Sequence, residues 1–505
     1  MIEFMDTTLR DGEQMRDVSY NAKEKLTITK MLLEDLKVSR VEITSARVSE
    51  GEQESLSQII QWAKKHGYID NIEILGFTDK NKSIDWLDQA GGKVINLLAK
   101  GSLRHCEIQL RKTPAEHFKD IMETIDYASS KGIACNIYLE TWSNGMIESL
   151  DYVYQMIDTL KNSSIKRFML PDTLGILDPV ATYEHMSKLV QRYPDLHFDY
   201  HGHNDYGLAT ANTLAAVRAG AKGVHCTING MGERTGNTSL DEVAVGIRDF
   251  LNMDIAINEK KLFSVSETVE AFSGKRIPFN KPVVGSNVFT QTAGIHADGD
   301  SKGDLYANRL LPERFNRKRH YALGKLSGRS NLDYNLKELG IELTADQKKQ
   351  VLNRIIELGD KKAAITQDDL PYIISDVLEQ SEHKLFSIDS LIVVTSKGVK
   401  SMATIKVRHR EQTGEDYSEH EEIGKGDGGY DAIMDAVGKI TSQLGYQLPQ
   451  LVDYQITIPP GGKTDALVQC SITWRSSRTF VTKGVNPDQV LAAAEATEKM
   501  LNSLA

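Results

Sequence analysis

The chain opens with Ile2-Glu3-Phe4-Met5-Asp6-Thr7-Thr8-Leu9-Arg10-Asp11-Gly12-Glu13-Gln14. Its short apolar run gives way to polar residues and a glycine, which is typical of a buried strand that ends in a loop. We therefore expect the adjacent Arg10 and Asp11 at the carboxyl end of a strand.

A second stretch of the same kind lies in the middle of the chain. The strand-like run Leu196–Tyr200 leads into His201-Gly202-His203-Asn204-Asp205. Residues two apart in an extended chain point to the same side, so His201 and His203 can face one point. Together with the carboxylate of Asp11, two imidazoles offer ligands for a divalent metal. The alternative is an Arg–Asp surface pair and two unrelated histidines, but both stretches end candidate strands, which favours a site.

The N-terminal region, residues 1–275, alternates short apolar runs with amphipathic helical stretches. This rhythm predicts a (β/α)8 TIM barrel, with a doubly wound open sheet as the competing architecture. The eight runs are Ile2–Met5, Val38–Ile43, Ile72–Phe77, Val94–Leu98, Ile133–Leu139, Phe168–Leu170, Phe198–Tyr200 and Val224–Ile228.

Polar residues follow many of these runs. Because a barrel places the carboxyl ends of its strands on one rim, we expect these side chains to converge there. They are Arg10, Asp11, Glu140, Asp172, Thr173, His201, His203 and Asn229.

The rest of the chain divides into three segments by pattern. Residues 276–330 lose the strand–helix rhythm and form an expected linker or lid, with a basic cluster that includes Arg314 and Arg317. That cluster fits a solvated face and coenzyme phosphates equally well. Residues 331–384 read as a small helical subdomain. Residues 385–505 change to an α+β pattern of two related strand–strand–helix units, which predicts an internal repeat.

Composition excludes several classes of function. The chain is 40% hydrophobic and 26% charged, as in an ordinary globular protein, and its net charge of −10 offers no basic surface for nucleic acid or membranes. Four widely spaced cysteines, with no signal peptide pattern and no membrane span, predict a cytoplasmic enzyme with reduced thiols.

With Asp6–Gln14 and His201–Asp205 in place, the chain resembles the metal-dependent acyl-CoA condensing family. This family includes 2-isopropylmalate, citramalate and homocitrate synthases, with related lyases and carboxylases. The likeness extends through nearly all of the chain, and it is most similar to the (R)-citramalate synthases. It implies a divalent-metal-dependent condensation of acetyl-CoA with a 2-oxo acid, pyruvate being favoured, within branched-chain amino-acid biosynthesis. The alternative is a 2-isopropylmalate synthase that uses 2-oxoisovalerate for leucine.

The resemblance also implies roles for individual residues. Asn237 completes a site for Mn²⁺, Mg²⁺, Co²⁺ or Zn²⁺ with Asp11, His201 and His203. Arg10 binds substrate and stabilises the alkoxide. The remaining residues divide into two groups: Glu140, His296 and Tyr306 for proton transfer, and Leu75, Leu98, Tyr138 and Thr173 for the 2-oxo acid.

Three points in this assignment are open. An ion pair with Arg10 or a lysine is a credible structural role for Glu140. Leu75, Leu98 and Tyr138 could be ordinary barrel-core residues. Asp304 and Leu326 depart from the Asn and His that the resemblance leads us to expect at two positions associated with acyl-CoA contacts.

The family's C-terminal domain binds the end product of its pathway, so residues 385–505 are expected to regulate. We expect a branched-chain amino acid, isoleucine first, at a site made by Tyr430, Asp431, Leu451, Tyr454, Ile458, Thr464 and Val468. A homodimer is expected as well, and pure dimerisation is the alternative role of the tail.

A metal-dependent hydrolase barrel is the rival from another class, but such hydrolases carry His-x-His after the first strand and not after the seventh.

Overall fold

The computed structural model describes residues 1–303, 305–360, 365, 367–378, 385–410, 417–457 and 468–504. The chain divides into two units, which are described separately. The first unit comprises residues 1–289 with 308–318, and the second comprises residues 290–307 with 319–505.

Eight parallel strands form a closed barrel in the first unit. Each strand pairs with the next, and β1 also pairs with β8, Phe4 lying opposite Val224. This closure confirms the expected barrel and excludes the open doubly wound sheet. The strands are β1 (Glu3–Asp6), β2 (Arg40–Ser45), β3 (Ile72–Phe77), β4 (Val94–Lys100), β5 (Ala134–Glu140), β6 (Ile165–Asp172), β7 (Phe198–Gly202) and β8 (Gly223–Cys226).

Helices alternate with these strands. The first begins at a capping box, in which the Asn21 side chain accepts from the backbone of Glu24 and the Glu24 side chain accepts from the backbone of Asn21. Ile28, Leu32 and Leu36 along this stretch are fully buried in the core. The helices are α1 (Ala22–Lys30), α2 (Glu50–His66), α3 (Lys82–Ala90), α4 (Pro114–Ser130), α5 (Trp142–Glu148), α6 (Leu150–Leu160), α7 (Pro179–Arg192), α8 (Ala209–Ala219), α9 (Leu240–Leu251) and α10 (Leu262–Ser273).

The second unit begins with a small helical part. Two short parallel strands, β9 (Thr290–Gln291) and β10 (His320–Tyr321), pair within it. Its helices are α11 (Gly294–Ser301), α12 (Arg329–Leu339), α13 (Ala345–Asp360) and α14 (Leu370–Val377), and the last three bury a common apolar core.

The tail of the second unit contains two repeats. The first tail repeat is β11 (Phe386–Val394), β12 (Ser401–Arg410), β13 (Tyr417–Gly426) and α15 (Gly429–Gln443). The second tail repeat is β14 (Gln450–Thr457), β15 (Val468–Arg475), β16 (Thr479–Asn486) and α16 (Gln489–Asn502). Each set of strands is an antiparallel three-stranded sheet, and the helices of both repeats share one core.

The expected strand–strand–helix pattern was wrong for the first tail repeat, which has a third strand, β13. Its residues Tyr417–Lys425 are mostly polar or charged and largely exposed, because β13 is an edge strand with one face towards solvent. An apolar run, the signal used for the other strands, is therefore missing there.

One close contact recurs in the two tail repeats. A Cβ on Gly424 of β13 would lie 1.9 Å from the carbonyl oxygen of Ala432 on α15, and a Cβ on Gly484 of β16 would lie 1.9 Å from that of Ala492 on α16. The same spacing from glycine to alanine in both repeats indicates that helix and sheet pack in the same way. A larger side chain at either glycine would push the helix away.

All four cysteines are free and buried. Within the described ranges, no helix is both long and apolar enough to cross a membrane.

Candidate active site

The turn after β1 places Arg10 and Asp11 over the carboxyl-terminal rim of the barrel. The backbone N–H groups of Arg10, Asp11 and Gly12 all donate to the carbonyl oxygen of Thr7, at 3.1, 2.8 and 3.0 Å. This tight turn follows directly from the end of β1 and holds both side chains at the rim.

Asp11, His201 and His203 form a buried group at this rim. Their potential ligand atoms all lie within 4.8 Å of one another. His201 Nε2 is 3.3 Å from His203 Nε2 and 3.3 Å from Asp11 Oδ2. The sequence prediction that these three side chains face one point therefore agrees with the geometry.

The charge states of this group suit a divalent cation. Burial raises the pKa of Asp11, but Arg10 and His201 outweigh burial and hold it well below 3.8, so the side chain is a carboxylate. Burial, with His201 nearby, lowers the pKa of His203 to about 4. A neutral imidazole and a carboxylate are the forms that bind metals.

Asn237 lies beside His203, with which it forms an isolated β-bridge. Its amide nitrogen donates to the carbonyl oxygen of Met231 at 3.1 Å, which fixes the orientation of the side chain. The other amide atom, Asn237 Oδ1, is buried without a hydrogen-bond partner in the described part of the chain, and so is Asp11 Oδ1. Two orphaned acceptor oxygens beside two converging imidazoles fit a hard or borderline divalent metal.

A cavity of about 160 Å³ opens beside this group. Since a water molecule occupies roughly 30 Å³ of liquid, the cavity has the volume of about five waters. It is lined by Arg10, Asp11, Gln14, Leu75, Leu98, Tyr138, Glu140, Pro171, Thr173, His201, His203, Glu233 and Arg234.

One wall of the cavity is apolar. Leu75, Tyr138 and Leu98 pack with Met5 and Met169 in a small cluster of their own inside the barrel. They are therefore both core residues and cavity wall, and the two readings left open by the sequence do not exclude one another.

Arg10 crosses from the cavity to the barrel interior. Its Nη1 donates to Asp11 Oδ2 at 2.9 Å, its Nη2 donates to the Tyr138 hydroxyl at 3.2 Å, and its Nε donates to Glu42. Glu42, in the middle of β2, is fully buried. The guanidinium is thus held between carboxylates at the edge of the cavity.

Glu140 and Thr173 also lie where the sequence predicted, in the cavity wall. The Glu140 carboxylate contacts the ammonium of Lys100, the residue opposite it on β4. The lysine pairing considered for Glu140 is therefore present in the structure. Thr173 Oγ1 accepts from the backbone N–H of Thr141 at 2.9 Å, which ties the loops after β5 and β6 together.

Three protein-family models match successive parts of the chain. A family model described as HMGL-like matches residues 1–269, more than half of the chain. Models described as "Homocitrate synthase post-HMGL domain-like" and "LeuA allosteric (dimerisation) domain" match residues 283–363 and 364–505. The chain belongs to the HMGL-like family.

Two relatives match this HMGL-like chain along its whole length. The (R)-citramalate synthase of Methanocaldococcus jannaschii is 32% identical over 506 residues, which cover 100% of this chain and 99% of the relative. The 2-isopropylmalate synthase of the same organism is 31% identical over 511 residues, which cover 100% of this chain and 94% of the relative. The HMGL-like chain is accordingly an enzyme, an acyltransferase of the type found in this family.

His296 and Tyr306 belong to the second unit of the HMGL-like chain. Both are exposed, and their ring centroids are 4.4 Å apart. Leu326 is 61% exposed, and Asp304 lies outside the described residues.

The basic cluster that contains Arg314 and Arg317 has internal partners. Arg314 pairs with Asp249 and Glu259, and the Arg317 guanidinium lies 4.2 Å from the ring centroid of Phe263. These contacts favour a structural role for both arginines in the first unit.

The predicted effector residues divide into three groups. Tyr430 and Tyr454, from different tail repeats, have ring centroids 4.8 Å apart. Val468, the first residue of β15, is buried. Asp431 accepts from the backbone N–H of Asp427 at 2.9 Å, and Leu451 is 39% exposed. Ile458 and Thr464 lie outside the described residues.

Sequence reasoning missed four polar side chains at or below the rim of this HMGL-like barrel: Glu42, Lys100, His225 and Arg234. Glu42, Lys100 and His225 are buried within strands, where a polar residue in a short apolar run resembles ordinary surface alternation. Arg234 holds Asp205 through two contacts, at 2.7 and 2.8 Å, and lies in the glycine-rich loop after β8. The position of that loop at the rim was the only available signal.

Proposed function

We propose that this chain catalyses a divalent-metal-dependent, Claisen-type condensation of acetyl-CoA with a 2-oxo acid. Pyruvate is the favoured acid, and the products are (R)-citramalate and CoA. The observation that carries the proposal is the single cavity in which Asp11, His201 and His203 face an arginine and an apolar wall.

Asp11, His201, His203 and the amide oxygen of Asn237 would hold the metal. When bound, a divalent ion at this position supplies a Lewis acid for the keto carbonyl and an anchor for the acid's carboxylate. The low pKa of Asp11 and the neutral state of His203 keep these ligands available at neutral pH.

Arg10 has the role of stabilising the charge that develops on the keto oxygen during carbon–carbon bond formation. Its Asp11 and Glu42 partners hold the guanidinium in place before the reaction begins. A donor that is already oriented needs little reorganisation at the transition state, which is the basis of its catalytic value.

Glu140 and His296 carry the proton transfer that turns the acetyl methyl group into a carbon nucleophile, with Tyr306 as a further participant. Glu140 supports this role through its place in the cavity wall. The ammonium of Lys100 contacts the carboxylate and holds it in the cavity wall. Water then hydrolyses the condensed thioester and releases CoA.

Leu75, Leu98 and Tyr138 are proposed to set the size of the acid. The bulk of these three side chains in the cavity wall supports the methyl group of pyruvate over an isopropyl group. The second candidate function is 2-isopropylmalate synthase, which uses 2-oxoisovalerate, and the full-length match to such a synthase supports it. A difference of one or two methylene groups is worth only about 1–3 kcal/mol, or 10- to 200-fold.

The tail is proposed to bind a branched-chain amino acid as a feedback effector and to contribute to a homodimer. The match to a LeuA allosteric (dimerisation) domain supports both roles. The aromatic pair of Tyr430 and Tyr454, shared by the two tail repeats, offers an apolar contact for the effector's side chain.

The decisive experiment follows thiol release from acetyl-CoA with a panel of 2-oxo acids. Pyruvate should give the highest kcat/KM, by about tenfold or more over 2-oxoisovalerate. The reverse preference would assign the second candidate function, and no thiol release with any 2-oxo acid would exclude both.

A parallel experiment removes the metal. Chelated protein, checked by elemental analysis, should lose activity and recover it with Mn²⁺, Mg²⁺, Co²⁺ or Zn²⁺. His203→Ala should bind markedly less metal than the wild type in the same analysis. Full turnover by verified metal-free protein would contradict the metal role.

A further inference from the structure

A buried chain of hydrogen bonds runs through the barrel interior and ends at Arg10. Asp199 Oδ2 lies 3.1 Å from His225 Nε2, and His225 Nδ1 lies 3.2 Å from the Tyr138 hydroxyl. The same hydroxyl accepts from Arg10 Nη2 at 3.2 Å. Asp199, His225 and Tyr138 are at most 2% exposed, so solvent does not supply alternative partners.

The position of each hydrogen in this chain follows from its neighbours. Asp199 is ion-paired with Arg40, and as a carboxylate it can only accept. His225 therefore carries its hydrogen on Nε2 and donates it to Asp199. A neutral imidazole with this tautomer leaves Nδ1 as an acceptor, which needs the hydrogen of the Tyr138 hydroxyl.

Glu42 is the competing acceptor for that hydroxyl, since its Oε2 is 3.3 Å from the Tyr138 oxygen. However, Oε2 already accepts from Arg10, and the other oxygen accepts from Asn96 at 2.7 Å. If Tyr138 donated to Glu42, the buried Nδ1 of His225 would be left without a donor. The arrangement that satisfies every buried group has Tyr138 donating to His225.

This arrangement determines how the Tyr138 hydroxyl contacts Arg10. With its hydrogen directed to His225, the Tyr138 oxygen presents a lone pair to Arg10 Nη2. Arg10 then uses three of its five N–H groups on Glu42, Asp11 and Tyr138. The fork geometry of the guanidinium directs the remaining two according to how these three are held.

We propose that His225 is a positioning residue that acts through Tyr138 to hold the Arg10 guanidinium at the cavity. His225 touches no substrate in this scheme. It sets the direction of one hydroxyl hydrogen, and the hydroxyl oxygen sets the direction of the guanidinium. The inference rests on the proposed function, because Arg10 is the group proposed to stabilise the negative charge that develops on the keto oxygen.

A double-mutant cycle tests the inference, using the full-length enzyme and thiol release. His225→Gln keeps a donor for Asp199 and removes the acceptor for Tyr138, whereas Tyr138→Phe removes the hydroxyl itself. Each should lower kcat by about 10- to 100-fold, with a smaller change in KM for pyruvate, as for a misplaced catalytic group. The kcat of the double variant should be about equal to that of the less active single variant, because both substitutions act through one hydrogen bond.

Two further variants serve as checks on the double-mutant cycle. His225→Asn puts an amide oxygen near the position of Nδ1, so it should retain more kcat than His225→Gln. His409→Gln is the matched control, since it breaks a partly buried His–Tyr contact, 3.4 Å long, to Tyr446 in the second unit. The control should lower Tm and leave kcat unchanged.

The outcomes separate the inference from the proposed function. A wild type that releases no thiol with any 2-oxo acid rejects the proposed function, and the cycle is then measured on the pyruvate dissociation constant by calorimetry. In an active wild type, losses that multiply in the double variant overturn the inference. A Tyr138→Phe enzyme with wild-type kcat overturns it as well, even if the His225 variants fail to fold.

Discussion

Arg10 is the side chain on which the charges of the cavity converge. Its guanidinium touches Asp11, Glu42 and Tyr138, and only about 9% of the side chain is exposed. A lysine in its place would keep the charge but lose the fork that reaches three partners at once. The chemistry of this position therefore depends on the shape of the cation as well as its sign.

For Arg10→Lys we expect a fall in kcat of about 10²–10³, the usual cost of losing a donor aimed at a developing oxyanion. Arg314→Lys is a matched control, because Arg314 also links two carboxylates, Asp249 and Glu259, but does not line the cavity. Both variants should lower Tm, and only Arg10→Lys should lose turnover. Wild-type kcat in Arg10→Lys would show that Arg10 is merely a structural partner of its carboxylates.

Asp6, at the end of β1, makes stability depend on pH. Burial raises its pKa from 3.8 to about 7, against the lowering effect of hydrogen bonds from the backbone N–H and hydroxyl of Thr8. Because the folded-state pKa is higher than the unfolded one, the folded chain holds more protons between these values. The stabilisation is present below pH 4 and is lost as pH rises towards 7.

The expected slope for this one group is about 1.4 kcal/mol for each pH unit between roughly 4 and 7. Asp6→Asn removes the titration. The free energy of unfolding of the variant, relative to the wild type, should therefore rise across that window and level off above it. Urea unfolding at several pH values measures this difference, and a difference independent of pH would count against a buried, protonated Asp6.

The two tail repeats are built around the same close approach of helix to strand. Gly424 and Gly484 each occupy the third strand of a repeat, and each leaves room only for the backbone of the helix that follows. The obstructing atom is a carbonyl oxygen of the helix in both cases, so it cannot move aside as a flexible side chain could. The sheet and the helix of each repeat therefore pack too closely to leave room for a methyl group between them.

Gly424→Ala and Gly484→Ala should each destabilise the tail by about 1–3 kcal/mol or more, the usual cost of overpacking. Gly438→Ala on α15 is the control. Its new methyl would meet Leu448 at an ordinary 3.7 Å, and alanine is the better helix former. Thermal unfolding should show a lower Tm for the first two variants and an equal or higher Tm for the control. Equal Tm values for all three would contradict the shared packing.

Regulation of the whole enzyme requires that an effector in the tail bind one state of the chain better than another. Couplings of this kind typically amount to about 1–3 kcal/mol, or 5- to 150-fold in affinity. The tail offers an aromatic pair, Tyr430 with Tyr454, and an exposed apolar residue, Leu451, on β14.

Isoleucine should therefore inhibit thiol release by the full-length enzyme more strongly than leucine or valine does. Leu451→Asp should weaken this inhibition, while Leu491→Asp, which changes a similarly exposed leucine on α16, should leave it intact. Stronger inhibition by leucine would support the 2-isopropylmalate synthase function. If none of the three amino acids inhibits, the proposed effector site is lost and dimerisation remains as the role of the tail.

Much of the barrel and its rim follows from local pattern alone. Strand and helix periods differ, so eight apolar runs separated by helical stretches predict eight strands. The sequence predicted that Asp11, His201 and His203 lie together, because each comes after an apolar run expected to be a strand and parallel strands of one barrel end on one rim. The capping box of Asn21 and Glu24 is local in the same sense, since both residues lie within one turn of helix.

Only the tertiary structure decided the network beneath the rim. Glu42, Tyr138, Asp199 and His225 come from four different strands, and their contacts depend on how the closed barrel sets the height of each strand against the others. Pattern within a strand carries no information on that height. The edge strand β13 escaped prediction for a related reason: whether a strand needs an apolar face depends on what packs against it, and that is a property of the folded chain.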